Sequence, residues 1–209
     1  MTGKTHLVGG LAAGAVIGKI AIATGAIPVS APTILGLVAV VCLASLLPDI
    51  DEPNSMVSNL PNYAKRSMRK RYNDFINTLI AGIFKAILAL LNMVTQALSG
   101  LIRVMAGGHR GATHWLITAV ALTVVVLAVA IPFGKLWYVA FFFAGYTSHL
   151  VLDLMTLSGL EIGRPFSKKK YHILPAGLRV RTGSAADTIL GVGLLVLTLL
   201  VLMIPIPLG

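Results

Sequence analysis

The sequence predicts an all-α integral membrane protein: about five transmembrane helices in a single domain over 1–209, plus one long amphipathic helix lying at the interface. Three observations carry this prediction. Hydrophobic residues make up 56% of the chain and charged residues 11%, a balance outside the range of soluble globular proteins. The apolar segments are continuous runs of span length, not the alternating pattern of a transmembrane barrel. Lys and Arg outnumber Asp and Glu 17 to 7 and gather between the runs, as in loops that face anionic lipid.

The first expected span, about 7–26, contains GGLAAGAVIG, whose small residues suit close helix packing in a membrane. Lys4 and the small residues near Ala26 also give it a signal-peptide look, but the glycine pattern favours a retained span. The second, 32–47, is short and ends at Pro48. Further spans are expected at 115–132, 136–155 and 186–206. The stretch 74–105 is also long enough to cross. Its polar residues Asp74, Thr78, Lys85, Asn92, Gln96, Ser99 and Arg103, however, recur at intervals of three, four or seven and share one helical face. That stripe suits a helix flat in the interface.

A flat 74–105 with a cytoplasmic N-terminus collects Lys4, Lys65, Arg66, Arg69, Lys70, Arg71, Arg103, Arg110, Arg164, Lys168, Lys169, Lys170, Arg179 and Arg181 on the cytoplasmic side. These are 14 of the 17 basic residues. A crossing there would scatter them over both sides, against the positive-inside tendency. The net charge of +10 does not point to nucleic acid, because neither aromatic interleaving nor a nucleic-acid motif accompanies the basic residues. Membrane lipid is the expected partner. Cys42 is the single cysteine, so any metal must be held by His, Asp or Glu.

On that topology the polar residues converge. His6, Asp49, Asp51, His109, His114, His149 and Asp153 all fall at or just within the cytoplasmic face. His149 and Asp153 are four apart on one helical face, a spacing that can grip an ion or tie helices through a His–Asp hydrogen bond. In LLPDIDEP, Pro48 and Pro53 box Asp49 and Asp51, and the expected local structure is a short extended turn with both carboxylates pointing one way. In GHRGATHW, a turn at Gly107, Gly108 or Gly111 could bring His109 and His114 together, with Arg110 beside them for a phosphate. His172 lacks a carboxylate neighbour and reads as an interfacial residue.

THLVGG, LPDIDEP, GHRGATH, GYTSHLVLDLMTLSG and RVRTGS, in this order, resemble the YdjM family of membrane-bound metal-dependent hydrolases, from position 5 to about 187. The resemblance implies that all seven His and Asp residues named above are metal ligands. Two features depart from the family pattern: the long insert at 74–105, and Asp187 where a glutamate is expected. The scattered His and Asp residues are also similar, more loosely, to zinc-dependent phospholipase C, which suggests phosphoester substrates.

The expected activity is therefore phosphoester hydrolysis at the cytoplasmic face of the inner membrane, on a phosphorylated lipid or lipid-linked substrate. Seven N and O ligands exceed one tetrahedral ion, so two or three divalent ions are expected. Zn²⁺ fits first, with Mn²⁺ or Fe as alternatives. Asp51 or Asp153 would serve as base, and Arg110, Arg164 and Arg181 as anion-binding groups. The sequence has neither a serine nucleophile elbow nor a nucleotide-binding loop. The rival expectation is a non-enzymatic membrane protein in which the ions are structural, or a carrier in which they are cargo.

Overall fold

The computed structural model describes residues 1–52, 54–56, 58–59, 89, 92–93, 96–97, 99–105 and 111–205. The chain divides into two compact units, one formed by 1–48 with 112–209 and the other by 49–111.

The first unit is a bundle of five helices: α1 (Gly3–Ala23), α2 (Ala31–Leu46), α3 (Leu116–Ala130), α4 (Trp137–Leu154) and α5 (Ala185–Met203). Short polar side chains start three of them. Thr2, Ser30 and Ser184 accept from the backbone N–H groups of Thr5, Thr33 and Asp187, each satisfying a donor that a helix start leaves open. Gly25 (φ 65°) and Gly134 (φ 61°) make the turns out of α1 and into α4 in the left-handed region that favours glycine.

Named contacts fix the helix directions. Gly10 faces Ser45 and Gly14 faces Val41, so α1 and α2 run antiparallel. Gly145 abuts Val41 and Ala44, and His149 reaches Ser45, so α4 runs parallel to α2. Thr5 bonds Asp187 near the start of both helices and Lys19 bonds Ile204 near their ends, so α5 runs parallel to α1. The Tyr146 hydroxyl donates to the Thr113 carbonyl just before α3, and Ala119 packs with Tyr146 and Leu150. The starts of α1, α3 and α5 and the ends of α2 and α4 therefore meet at one end of the bundle.

Small residues make this closeness feasible, which matters where helix association rests on packing more than on water exclusion. A Cβ at Gly145 would lie 2.5 Å from the Val41 carbonyl oxygen. The outward faces of α3 and α5 are apolar and exposed, with Val120, Val124 and Val125 on one and Leu195, Leu199 and Leu202 on the other.

Among the described residues, four helical stretches are long and apolar enough to cross a membrane: Gly3–Ala23, Ala31–Asp51, Leu116–Phe133 and Ala185–Met203. The expected fifth, α4, is not among them. Its hydroxyls, His149 and Asp153 lower its hydropathy, and they are tolerable because Tyr146, His149 and Asp153 are buried.

Within the second unit, two polar residues of the 92–103 stretch bond residues 52–59. Gln96 donates to the Ser58 carbonyl and to Asn59, and Arg103 pairs with Glu52 at 3.1 Å. Met93, Leu101, Val104 and Met105 are exposed. Of the periodic stripe expected from the sequence, Gln96 and Arg103 thus make contacts within this unit, while its first half, with Asp74, Thr78 and Lys85, lies outside the described residues.

Candidate metal centre

Four of the seven expected ligands come together at the shared end of the bundle. His6 lies in the first turns of α1, His114 closes the 3-10 turn Ala112–His114 before α3, and His149 and Asp153 occupy the last two turns of α4. All four are at most 1% exposed. His114 Nε2 and His149 Nε2 are 3.3 Å apart, and Asp153 Oδ2 lies 3.8 Å from the first and 3.9 Å from the second. The other carboxylate oxygen, Oδ1, is 3.4 Å from His6 Nε2 and receives the amino group of Met1 at 2.6 Å.

The local chain explains how the rings are aimed. His149 Nδ1 is 2.8 Å from the carbonyl oxygen of Ser45. A carbonyl can only accept, so Nδ1 carries the hydrogen, and Nε2 is left as the ring atom directed at the cluster. Ser45 has this carbonyl to offer because α2 passes into a 3-10 turn, Leu47–Asp51. In that pattern its partner would be residue 48, a proline without an N–H. His114 Nδ1 is held 3.0 Å from the Thr113 hydroxyl. Outer partners of this kind fix the orientation and tautomer of metal-binding histidines.

The donor set fits a divalent cation. A tetrahedral ion with bonds of about 2.0–2.1 Å to nitrogen holds its ligands about 3.3–3.4 Å apart, close to the His114–His149 separation. His6, His149 and Asp153 each offer a ligand atom within 4.8 Å of the others. The buried Asp153 also needs positive charge beside it, which the Met1 ammonium supplies as a stand-in cation. His6 Nδ1 is buried without a hydrogen-bond partner among the described residues, an orphan that a polar ligand would satisfy.

The remaining expected residues fare differently. Asp49 and Asp51 lie in the 3-10 turn, Asp51 fully buried and Asp49 half-buried, and both belong to the second unit. The extended turn expected for them is corrected. Pro48 fits the first turn of a 3-10 helix, where its missing N–H costs nothing, and at three residues per turn positions two apart point in different directions. His109 and Arg110 lie outside the described residues. Arg164 is paired with Glu161 at 2.7 Å, and Arg181 is exposed. His172 places Nδ1 3.1 Å from the Thr156 carbonyl.

Asp187 is the buried residue whose structural role the sequence reading missed. Its carboxylate takes Thr5 Oγ1 at 2.7 Å, Gly183 N at 2.8 Å and Thr2 N at 3.0 Å, tying the start of α1 beside His6 to the start of α5. The signal was present in SAAD, a serine cap followed three residues later by an acid.

Among known families, the one described as YdjM inner membrane protein matches this chain over residues 1–206. Neither the curated proteins nor the solved structures give a match, so the likeness to phospholipase C rests on the sequence arrangement alone. With nearly the full length matched, the chain belongs to the YdjM inner membrane protein family.

Proposed function

We propose that the protein is a membrane-bound metal-dependent hydrolase of phosphoesters in lipid or lipid-linked substrates, with its His/Asp centre on the cytoplasmic side of the inner membrane. The observation that carries this reading is the convergence of His114 Nε2, His149 Nε2 and Asp153 Oδ2, with His6 on the other carboxylate oxygen. His114, His149 and Asp153 would hold one ion, and His6 with Asp153 Oδ1 would contribute to a second. The chemistry supplied by divalent ions in such a setting is polarisation of a phosphoryl oxygen and activation of water near neutral pH.

The chain's own groups do the rest in this reading. Asp153, facing three imidazoles, acts as a ligand and not as the base. Ser45 and Thr113 hold two rings in register. His6 Nδ1, buried without a hydrogen-bond partner among the described residues, is open to a polar group of the substrate. Five-pass topology completes the proposal, with α4 crossing among its neighbours.

The test is purified protein with added Zn²⁺ or Mn²⁺ on a panel of membrane phospholipids. Release of phosphate or a phosphorylated head group, abolished by a chelator and by His149→Ala, is expected. Metal analysis of His114→Ala, His149→Ala, His109→Ala and Asp49→Asn measures the full ligand set inferred from sequence. No turnover on any lipid with either ion would sink the hydrolase reading. One observation favours the rival: all four clustered residues are nearly fully buried, as in closed structural sites. Full metal occupancy without turnover would identify that case.

A further inference from the structure

The segment between α4 and α5 is an ordered excursion, not a slack loop. Ile173 N bonds the Leu154 carbonyl, Val180 N bonds Met155 and Leu157 N bonds Val180, while Leu160 and Tyr171 exchange two backbone bonds of 3.2 and 2.9 Å. Leu116 N also reaches the Ile162 carbonyl, attaching the segment to the start of α3.

What it displays is anomalous for a water-facing loop. Phe166 is 88% exposed, Leu178 67% and Ile173 55%. Between and beside them stand Lys168, Lys169, Lys170 and Arg181, all exposed, with the Lys169 ammonium 5.5 Å over the Tyr171 ring. The sole acid in 155–184 is Glu161, and it is already paired with Arg164. The segment thus combines large apolar side chains with a strong excess of cations.

We infer that this segment is a docking surface for anionic phospholipid, seated on the headgroup layer of the leaflet at the His/Asp end of the bundle. Position decides the occupant. The segment leads directly into α5, which is long and apolar enough to cross a membrane, so its base stands where hydrocarbon gives way to headgroups. At that depth Phe166, Ile173 and Leu178 enter the acyl boundary while the flexible lysine stems carry their charges to phosphates. The unpaired positive charge selects anionic over neutral lipid. The inference does not depend on an ion at the His/Asp cluster.

The test uses the full chain in nanodiscs of phosphatidylcholine alone or with phosphatidylglycerol, reading amide exchange over 157–181. Slower exchange with phosphatidylglycerol, weakening as salt rises, is expected. Each of Lys168→Gln, Lys169→Gln and Lys170→Gln should lower the phosphatidylglycerol retained in native mass spectrometry by about fivefold at low salt. The wild-type comparison needs no variant, and the changes fall on exposed side chains. Equal exchange in the two lipids overturns the inference, as does lipid retention unchanged in all three variants. Protection lost in Phe166→Ser but indifferent to lipid charge also overturns the choice of anionic lipid.

Discussion

His6 and His149 lie face to face, ring centroids 3.5 Å apart and planes 9° from parallel, and each turns its Nε2 toward a different oxygen of Asp153. The stack joins α1 to α4 at the point where the carboxylate is shared. A change that shifts either ring therefore alters what both carboxylate oxygens can bind, and a change in helix packing below reaches the centre through these rings.

Pro48→Ala tests the aiming of His149. The substitution restores an N–H three residues after Ser45, which competes with His149 Nδ1 for the carbonyl while leaving every metal ligand in place. Ion affinity should fall by about tenfold, the lower end of the effect of losing an outer partner. Competition titration with a metallochromic chelator measures this. Affinity equal to wild type would show that the proline does not control the ring.

Metal removal should loosen the bundle. At ion concentrations about a hundredfold above Kd, binding stabilises by about 2.7 kcal/mol, or roughly 5–11 °C in melting temperature for a chain of this size. Asp153→Asn should lower metal content and make the melting temperature insensitive to chelator, because the carboxylate oxygens facing the three histidines lose their charge. A wild-type melting curve unmoved by EDTA argues against a bound ion.

Two glycine substitutions should differ in their effect on stability. At Gly145 an added Cβ meets the Val41 carbonyl oxygen at 2.5 Å and Ala44 Cβ at 3.0 Å, and backbone cannot turn aside. Gly145→Ala should cost about 1–3 kcal/mol and draw His149 away from Ser45. At Gly18 the nearest atom is Phe141 Cζ at 3.6 Å, so Gly18→Ala should be neutral or gain up to about 1 kcal/mol from helix propensity. Thermal melts of the two variants, with metal content measured in parallel, settle the comparison.

These contrasts show what was legible in the sequence. The helices were, because their apolar runs are long. The pairing of His149 with Asp153 was as well, because a spacing of four is local geometry. His6 and His114 could be placed at the same end through basic-residue counting, but their distances depend on close helix approach at Gly10, Gly14 and Gly145, which no local pattern encodes. The Asp49–Asp51 turn was misread because Pro48 permits either an extended chain or the start of a 3-10 turn, and α2 running into it selects the latter.

Asp187→Ala should destabilise by about 1–3 kcal/mol, since it removes the shared acceptor of the Thr2 and Gly183 N–H groups and of the buried Thr5 hydroxyl. It removes no ligand from the His/Asp cluster. Metal content at saturating ion should therefore match wild type while the melting temperature falls. Loss of metal at saturation would mean that the start of α1, with His6, leaves the cluster once Asp187 is gone.

Single cysteines at 66, 110, 135 and 169, placed in a Cys42→Ser background, test the five-pass orientation. Lys135 and Lys169 are exposed and lie on the two sides of α4, whose 18 residues span about 27 Å, close to the ~30 Å of bilayer hydrocarbon. If α4 crosses, these two positions must report from opposite faces. In the proposed orientation the His/Asp end, with its excess of Lys and Arg, faces the cytoplasm, in line with the positive-inside tendency. An impermeant maleimide applied to intact cells should then label position 135 alone. Labelling at 169 but not at 135 would invert the orientation and move the metal centre to the outer face. Labelling of both from one side would mean that α4 does not cross, and labelling at 66 or 110 from outside would contradict the flat placement of 74–105.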